Sequence, residues 1–378
     1  ELINYDQNHS PLSGNFVSSS SPNGPWVVRN SWISNPPLTS VSATPSAGYV
    51  ITSDLNKNWI QMGNTIYGES VNDYSGYSIS LNADGTIIAI GAQMQYSNAS
   101  FGPVAGHVRI FKYNTTTNIW DQSGNDIDGE SARDYFGTSV SLNGDGTIVA
   151  IGAYMHNSTT GHVRIYEWDG STWNKMGDDI DGKGANRDRC GYSVSFSADE
   201  KIVAIGSPYN NDGGNAAGHT RIYKYINDTW TQLGLDIVGE VANDQSGYSV
   251  SLNADGTIVA IGALYNDGTG TSSIPNSGHV RIYNYDENRE PKWKQIGSDI
   301  DGEAPNDHSS GGGQSVSLSA DGTIVAIGAH DNDGNGTNSG HVRVFKYDNI
   351  NNNWVQIGYD IDGEASVYQS GWSVSLSK

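Results

Sequence analysis

The chain has almost no sulfur chemistry to offer. Its single cysteine, Cys190, excludes an intrachain disulfide. That leaves secretion open, because a large core built from repeats does not need stapling. Basic residues are scarce too: 20 lysines and arginines face 41 aspartates and glutamates, for a net charge of −21. Such a surface repels nucleic acid and anionic membranes, so neither is an expected partner. It favours cations, basic partners or plain solubility. No stretch has helical periodicity, and no apolar run approaches the ~20 residues of a membrane-spanning helix. The HExxH, GxSxG and Walker motifs of common enzyme classes are all missing. A glycosidase pair of carboxylates would be hidden among so many acids, but nothing sets one pair apart. These absences point to a non-enzymatic protein.

What the chain does have is glycine, 47 residues of it, and a long repeat. The stretch from Gly247 to Ala263, GYSVSLNADGTIVAIGA, has close copies beginning at Gly76, Gly137, Gly191 and Gly313, and a truncated one at Gly371. Each full copy leads through a loop to Gly-His-Val-Arg-Ile-Tyr or a near variant, and then to a tryptophan. Those tryptophans are Trp59, Trp120, Trp173, Trp230, Trp293 and Trp354, spaced 53 to 63 residues apart. Cys190 aligns with Ser75, Phe136 and Ser246, which makes it a drifted repeat position rather than a nucleophile.

Each repeat reads as four short strands. The first alternates small polar and apolar residues, as a strand with two different faces should. An Asn-Ala-Asp-Gly turn follows, a strong hairpin signal because Asp and Gly accept the positive φ of tight turns. The third repeat has Asp199-Glu200 there and predicts a different turn. The second strand, Thr-Ile-Val-Ala-Ile-Gly-Ala, is apolar throughout and predicts burial on both faces. The third alternates, and the fourth carries the tryptophan. Units this small cannot bury their own faces and must stack. The expected fold is therefore all-β: a β-propeller of six to seven four-stranded antiparallel blades, its ring closed by N- and C-terminal strands. Residues 1–58 read as a degenerate first repeat and closure segment, and 59–378 as the blades of the same domain.

Phe136-Gly137-Thr-Ser-Val through Val149–Ala153, and Ile205-Gly206-Ser207-Pro208 with Gly218-His-Thr-Arg-Ile-Tyr223, resemble the FG-GAP repeat of integrin-α-type propellers. The resemblance runs from Trp59 to the carboxyl end, and faintly through the first repeat. It implies about seven blades, a usual place outside the cell, and frequent use in adhesion or protein contact. One departure matters. Calcium-binding FG-GAP blades carry Asp-x-Asp-x-Asp-Gly between the first two strands, and Asn-Ala-Asp-Gly is too short to wrap an ion.

Function is sought on the face that gathers two loop sets, the Asp-Ile-Asp-Gly-Glu loops after the outer strand and the variable loops between strands two and three. It presents Glu69, Glu130, Glu240, Glu303 and Glu364 with Asp73, Asp134, Asp188, Asp244 and Asp307. These either attract cations or a basic partner, or accept hydrogen bonds within their turns, and identical use in every repeat favours the second reading. Tyr154, Tyr209 and Tyr265 follow the second strand at what reads as one repeat position, where a sugar could stack. The histidines His107, His162, His219, His279 and His341 stand too far apart on the ring to share one ion, and each is expected to bond an aspartate of its own or the next blade. The arginines two residues on are expected to pair with acids or stack on aromatics. Asp331, Asp333 and Asn335 have the spacing of the first half of a calcium loop, without its closing glutamate, and Ca²⁺ is the one cofactor this suggests.

Six N-x-S/T sequons, at Asn8, Asn98, Asn114, Asn157, Asn227 and Asn335, five of them in expected loops, are candidate glycosylation sites. The start at Glu1 without Met reads as a processed or excised product. The combined expectation is an extracellular, cell-surface or virion-surface propeller that binds protein, adheres, or assembles into a larger structure. A carbohydrate-binding propeller is the alternative, and a glycan-active hydrolase the less expected one.

Overall fold

The computed structural model describes residues 2–5, 11–17, 61–94, 105–184, 187–268, 274–312 and 314–376. The chain divides between Asn64 and Thr65. In the first unit Leu2–Tyr5 pairs antiparallel with Pro11–Val17. The rest of the degenerate repeat expected in 1–58, Asn8 included, lies outside the described residues.

The second unit is all-β, with one four-residue helical turn at His156–Thr159 among the described residues. It contains five successive antiparallel sheets, here called blades I to V. Blade II shows the plan. Ser139–Leu142, Ile148–Ala153, His162–Trp168 and Trp173–Lys175 pair in sequence order, and Ile180–Asp181 pairs back onto the start of the third strand. The expected fourth strand is thus two short pieces. The break falls at a glycine with positive φ in each blade (Gly124, Gly177, Gly234, Gly297 and Gly358), a conformation that costs glycine nothing. At Gly124 and Gly297 a methyl group would also strike a tryptophan.

Blade-to-blade packing accounts for the repeat's composition. The second-strand glycine lies against the backbone of the next blade. A Cβ on Gly152 would stand 2.0 Å from the Gly191 carbonyl oxygen, and one on Gly206 the same distance from Gly247. First-strand serines reach across the same junction. Ser139 and Ser193 donate to the carbonyls of Gly191 and Gly247, and Ser141, Ser195 and Ser251 accept from the amides of Phe196, Leu252 and Leu318. The indoles of four repeat tryptophans reach back to the preceding blade. Trp173, Trp230, Trp293 and Trp354 donate to the carbonyls of Ser123, Met176, Leu233 and Ile296 at 2.7–3.0 Å. Between the sheets lie the apolar residues of the first three strands; one such cluster joins Val163 and Ile165 to Val194, Phe196 and Val203.

The Asp-Gly turns form as expected. In blade I the Asp84 carboxylate accepts from the Thr86 amide, the Asn82 side chain accepts from that of Ile87, and Gly85 takes φ of 71°. In blade III, where Glu200 replaces the glycine, the Ile202 amide reaches the Glu200 carbonyl as well as the Ser197 hydroxyl at the Asn82 position. No helix among the described residues is long and apolar enough to cross a membrane.

Candidate metal-binding junctions

The third strand of every blade opens on a histidine, and in the structure each ring is enclosed. His107, His162, His219, His279 and His341 are at most 1% exposed. The imidazoles of His107, His162 and His279 have no hydrogen-bond partner at either nitrogen, nor do His219 and His341 at Nε2; His219 Nδ1 lies 3.1 Å from Asp236 Oδ2. A buried ring nitrogen without a partner forfeits about 1–3 kcal/mol, and this recurs blade after blade. Burial pushes the His107 and His341 rings below their ordinary value and takes His162 and His279 down to about 3. These rings are therefore neutral at physiological pH, the form in which imidazole binds a metal.

Carboxylates converge on the same rings. Five groups bring three ligand atoms each within 4.8 Å of one another: Glu69, His107 and Asp126; Glu130, His156 and His162; Asp212, His219 and Asp236; Glu240, His279 and Asp299; Glu303, His341 and Asp360. In blades I, IV and V the glutamate comes from the loop before the blade, and the histidine and aspartate from the blade itself. Each site therefore spans a junction. The aspartate is preset by a glutamine four residues earlier. Gln122, Gln295 and Gln356 donate to Oδ1 of Asp126, Asp299 and Asp360 at 2.6–2.8 Å. That leaves Oδ2 of Asp299 and of Asp360 3.9 Å from Nδ1 of its histidine. The glutamate is shared: Glu303 turns Oε1 to Arg343 at 3.4 Å and Oε2 to His341 at 4.0 Å. Ligand atoms each ~2.1 Å from one tetrahedral ion lie roughly 3.4 Å apart. The observed gaps are too long for hydrogen bonds and slightly wide for an ion.

Blade II departs from the plan. Lys175 stands where the others have glutamine, and it and Arg164 engage Asp179. His156 takes the third place, its ring stacked on His162 at 4.0 Å, with its Nδ1 held by Asp134 at 2.9 Å. One imidazole or two with carboxylate oxygens suits a first-row divalent ion better than the oxygen-loving Ca²⁺. Three protein ligands also leave a coordination position open to water or a ligand oxygen.

The expected binding-face acids separate into two roles. Asp73, Asp134, Asp188, Asp244 and Asp307 are buried, at most 5% exposed, and fasten their own loops. Asp73 accepts from the Glu69 amide, Asp188 from that of Lys183, Asp244 from that of Glu240 and Asp307 from that of Ala304. Asn210 and Asn332 of the variable loops brace Asp188 and Asp307 in turn. The exposed glutamates Glu69, Glu130, Glu240 and Glu303 go to the histidine clusters, and Glu364, also exposed, follows the last described blade. The arginines do what was expected of them. Arg221, Arg281 and Arg343 lie over Tyr223, Tyr283 and Phe345, and each donates to a backbone carbonyl of the preceding junction.

Other expectations need correction. The tyrosines are not equivalent: Tyr154 is the first residue after its strand, and Tyr209 and Tyr265 the second. Nor are their faces free. Tyr154 packs on Tyr192, Arg189 covers Tyr209 at 3.9 Å, and Tyr265 meets His308. The side chains of Asp331, Asp333 and Asn335 turn to separate protein partners. Asp331 pairs with His308 and His330, Asp333 accepts from the Asn338 amide, and Asn335 donates to the Gly363 carbonyl. Asn114 ends a strand rather than sitting in a loop, Asn157 and Asn227 are exposed in turns, and Asn98 lies outside the described residues. Cys190 is fully buried among core residues, its thiol pushed up by burial.

No protein-family model and no curated protein matches the sequence. Among solved structures, the chain is similar to the periplasmic gluconolactonase PpgL of Pseudomonas aeruginosa, at 13% identity and a TM-score of 0.49, over 74% of this chain and 70% of that one. It is also similar to a protein described as a 6-phosphogluconolactonase of Bacteroides uniformis, at 8% identity and a TM-score of 0.45, over 76% and 85%. Both are named as lactonases. The expectations of a non-enzymatic adhesion, assembly or sugar-binding module, and of no enzyme, are therefore withdrawn. Likenesses this distant say nothing about what this chain itself acts on.

Proposed function

We propose that the chain is a metal-loaded β scaffold that takes first-row divalent cations, Zn²⁺ foremost, at the junctions between its blades. The observation that carries this reading is the column of buried imidazoles, each with an unpartnered nitrogen, facing carboxylates. A cation there would supply the missing partner for the ring. It would also tie the loop of one blade to the third strand of the next. The test is native mass spectrometry of chelator-stripped protein titrated with Zn²⁺. Saturable uptake at several sites, reduced by one in His279→Gln, is the expected result. No uptake above a His-free control protein would refute it, and Ca²⁺ uptake unaffected by His279→Gln would place the ions elsewhere.

The same proposal includes closure of the blades as a ring of six to seven. Ile79 and Leu81 of blade I are 51% and 54% exposed, whereas their counterparts Val140, Leu142, Val250 and Leu252 are buried. At the other end the Leu376 amide bonds Ser317 as the first strand of a further blade would. A crystal structure of the loaded protein would count the blades.

A further inference from the structure

Blade III breaks the pattern of the junctions in one informative way. Lys183 occupies the position held by Glu130, Glu240 and Glu303 in the other repeats. Its side chain enters the cluster all the same. The ammonium lies 2.5 Å from Asp236 Oδ2 and 3.9 Å from Asp212 Oδ2, the two carboxylates that face the His219 ring. His219 is fully buried. The group is closer here than in blade IV, where no lysine enters: His219 Nδ1 stands 3.1 Å from Asp236 Oδ2, against 3.9 Å for His279 and Asp299.

We propose that the Lys183 ammonium is the resident cation of the blade III junction, so this junction takes no metal and the protein binds first-row divalent ions at four of the five clusters found among the described residues. The inference rests on the metal-binding reading above. It adds that one site is filled from within the chain, because a primary ammonium and a divalent ion compete for the same carboxylate oxygens. A built-in charge fixes that junction at any metal concentration, while the others respond to supply.

The test counts zinc ions bound by native mass spectrometry in the wild type, in Lys183→Glu, which restores the repeat's own ligand, and in Lys183→Gln, which only removes the charge. The expected counts are four for the wild type and five for Lys183→Glu. Lys183→Gln should also gain an ion, held more weakly, and adding His219→Ala to Lys183→Glu should return the count to four. A wild type that binds five, or variants that both stay at the wild-type count, would overturn the inference while leaving the metal-binding reading in place. Zinc on Lys183→Glu with none on the wild type would support Lys183 as the occupant and overturn the other sites. No zinc on any of them would overturn both.

Discussion

His279 shows at the scale of one residue what burying an unpartnered imidazole costs. Its ring is buried with no partner, and burial takes its pKa down to about 3. The unfolded chain, with an ordinary histidine near 6.5, binds a proton that the folded ring refuses. The stability linked to the neutral ring is therefore whole above about pH 6.5, declines as the pH falls, and is fully lost near the folded value. In metal-free protein, His279→Gln should flatten the acid side of the stability profile by up to one proton's worth of slope. Urea midpoints at several pH values between 4 and 7 would check this, and superimposable profiles would count against a neutral buried ring.

At the scale of the element, the tryptophan is the visible fastener between sheets. Trp293 is 4% exposed and donates to the Leu233 carbonyl of the preceding blade at 2.7 Å. Trp293→Phe keeps most of the apolar area but leaves that carbonyl unpaired, a loss of about 1–3 kcal/mol. The expected signature is a lower urea midpoint with an unchanged slope, since the surface exposed on unfolding is nearly the same. The strands and turns around Trp293 were legible because period-2 alternation and Asp-Gly are local signals. The split of the fourth strand was not. It depends on Gly297, whose positive φ serves a contact with the next blade's Trp354. The junction site was half legible. The histidine column stood out, and its neighbours were expected to be aspartates. Asp126, Asp299 and Asp360 were missed, although a glutamine four residues before each, with a glycine between, marks them out. Glu240 was read as surface because its partner His279 lies in the next blade, and no spacing along one chain reveals a contact across two.

At the scale of the whole molecule, a net charge of −21 works against compaction through self-repulsion, and cations held at the junctions would relieve it where the blades meet. The buried aspartates Asp73, Asp134, Asp188, Asp244 and Asp307 are spent on loops, which leaves the glutamates of the junctions as the charges such ions would meet. Thermal unfolding of the chelator-stripped protein, with and without Zn²⁺ in hundredfold excess over its dissociation constant, measures this most directly. Each site occupied only in the folded state adds about 2.7 kcal/mol under those conditions. The account predicts a rise of several degrees in Tm, reversed by chelator and diminished in His279→Gln. An unchanged Tm would contradict it.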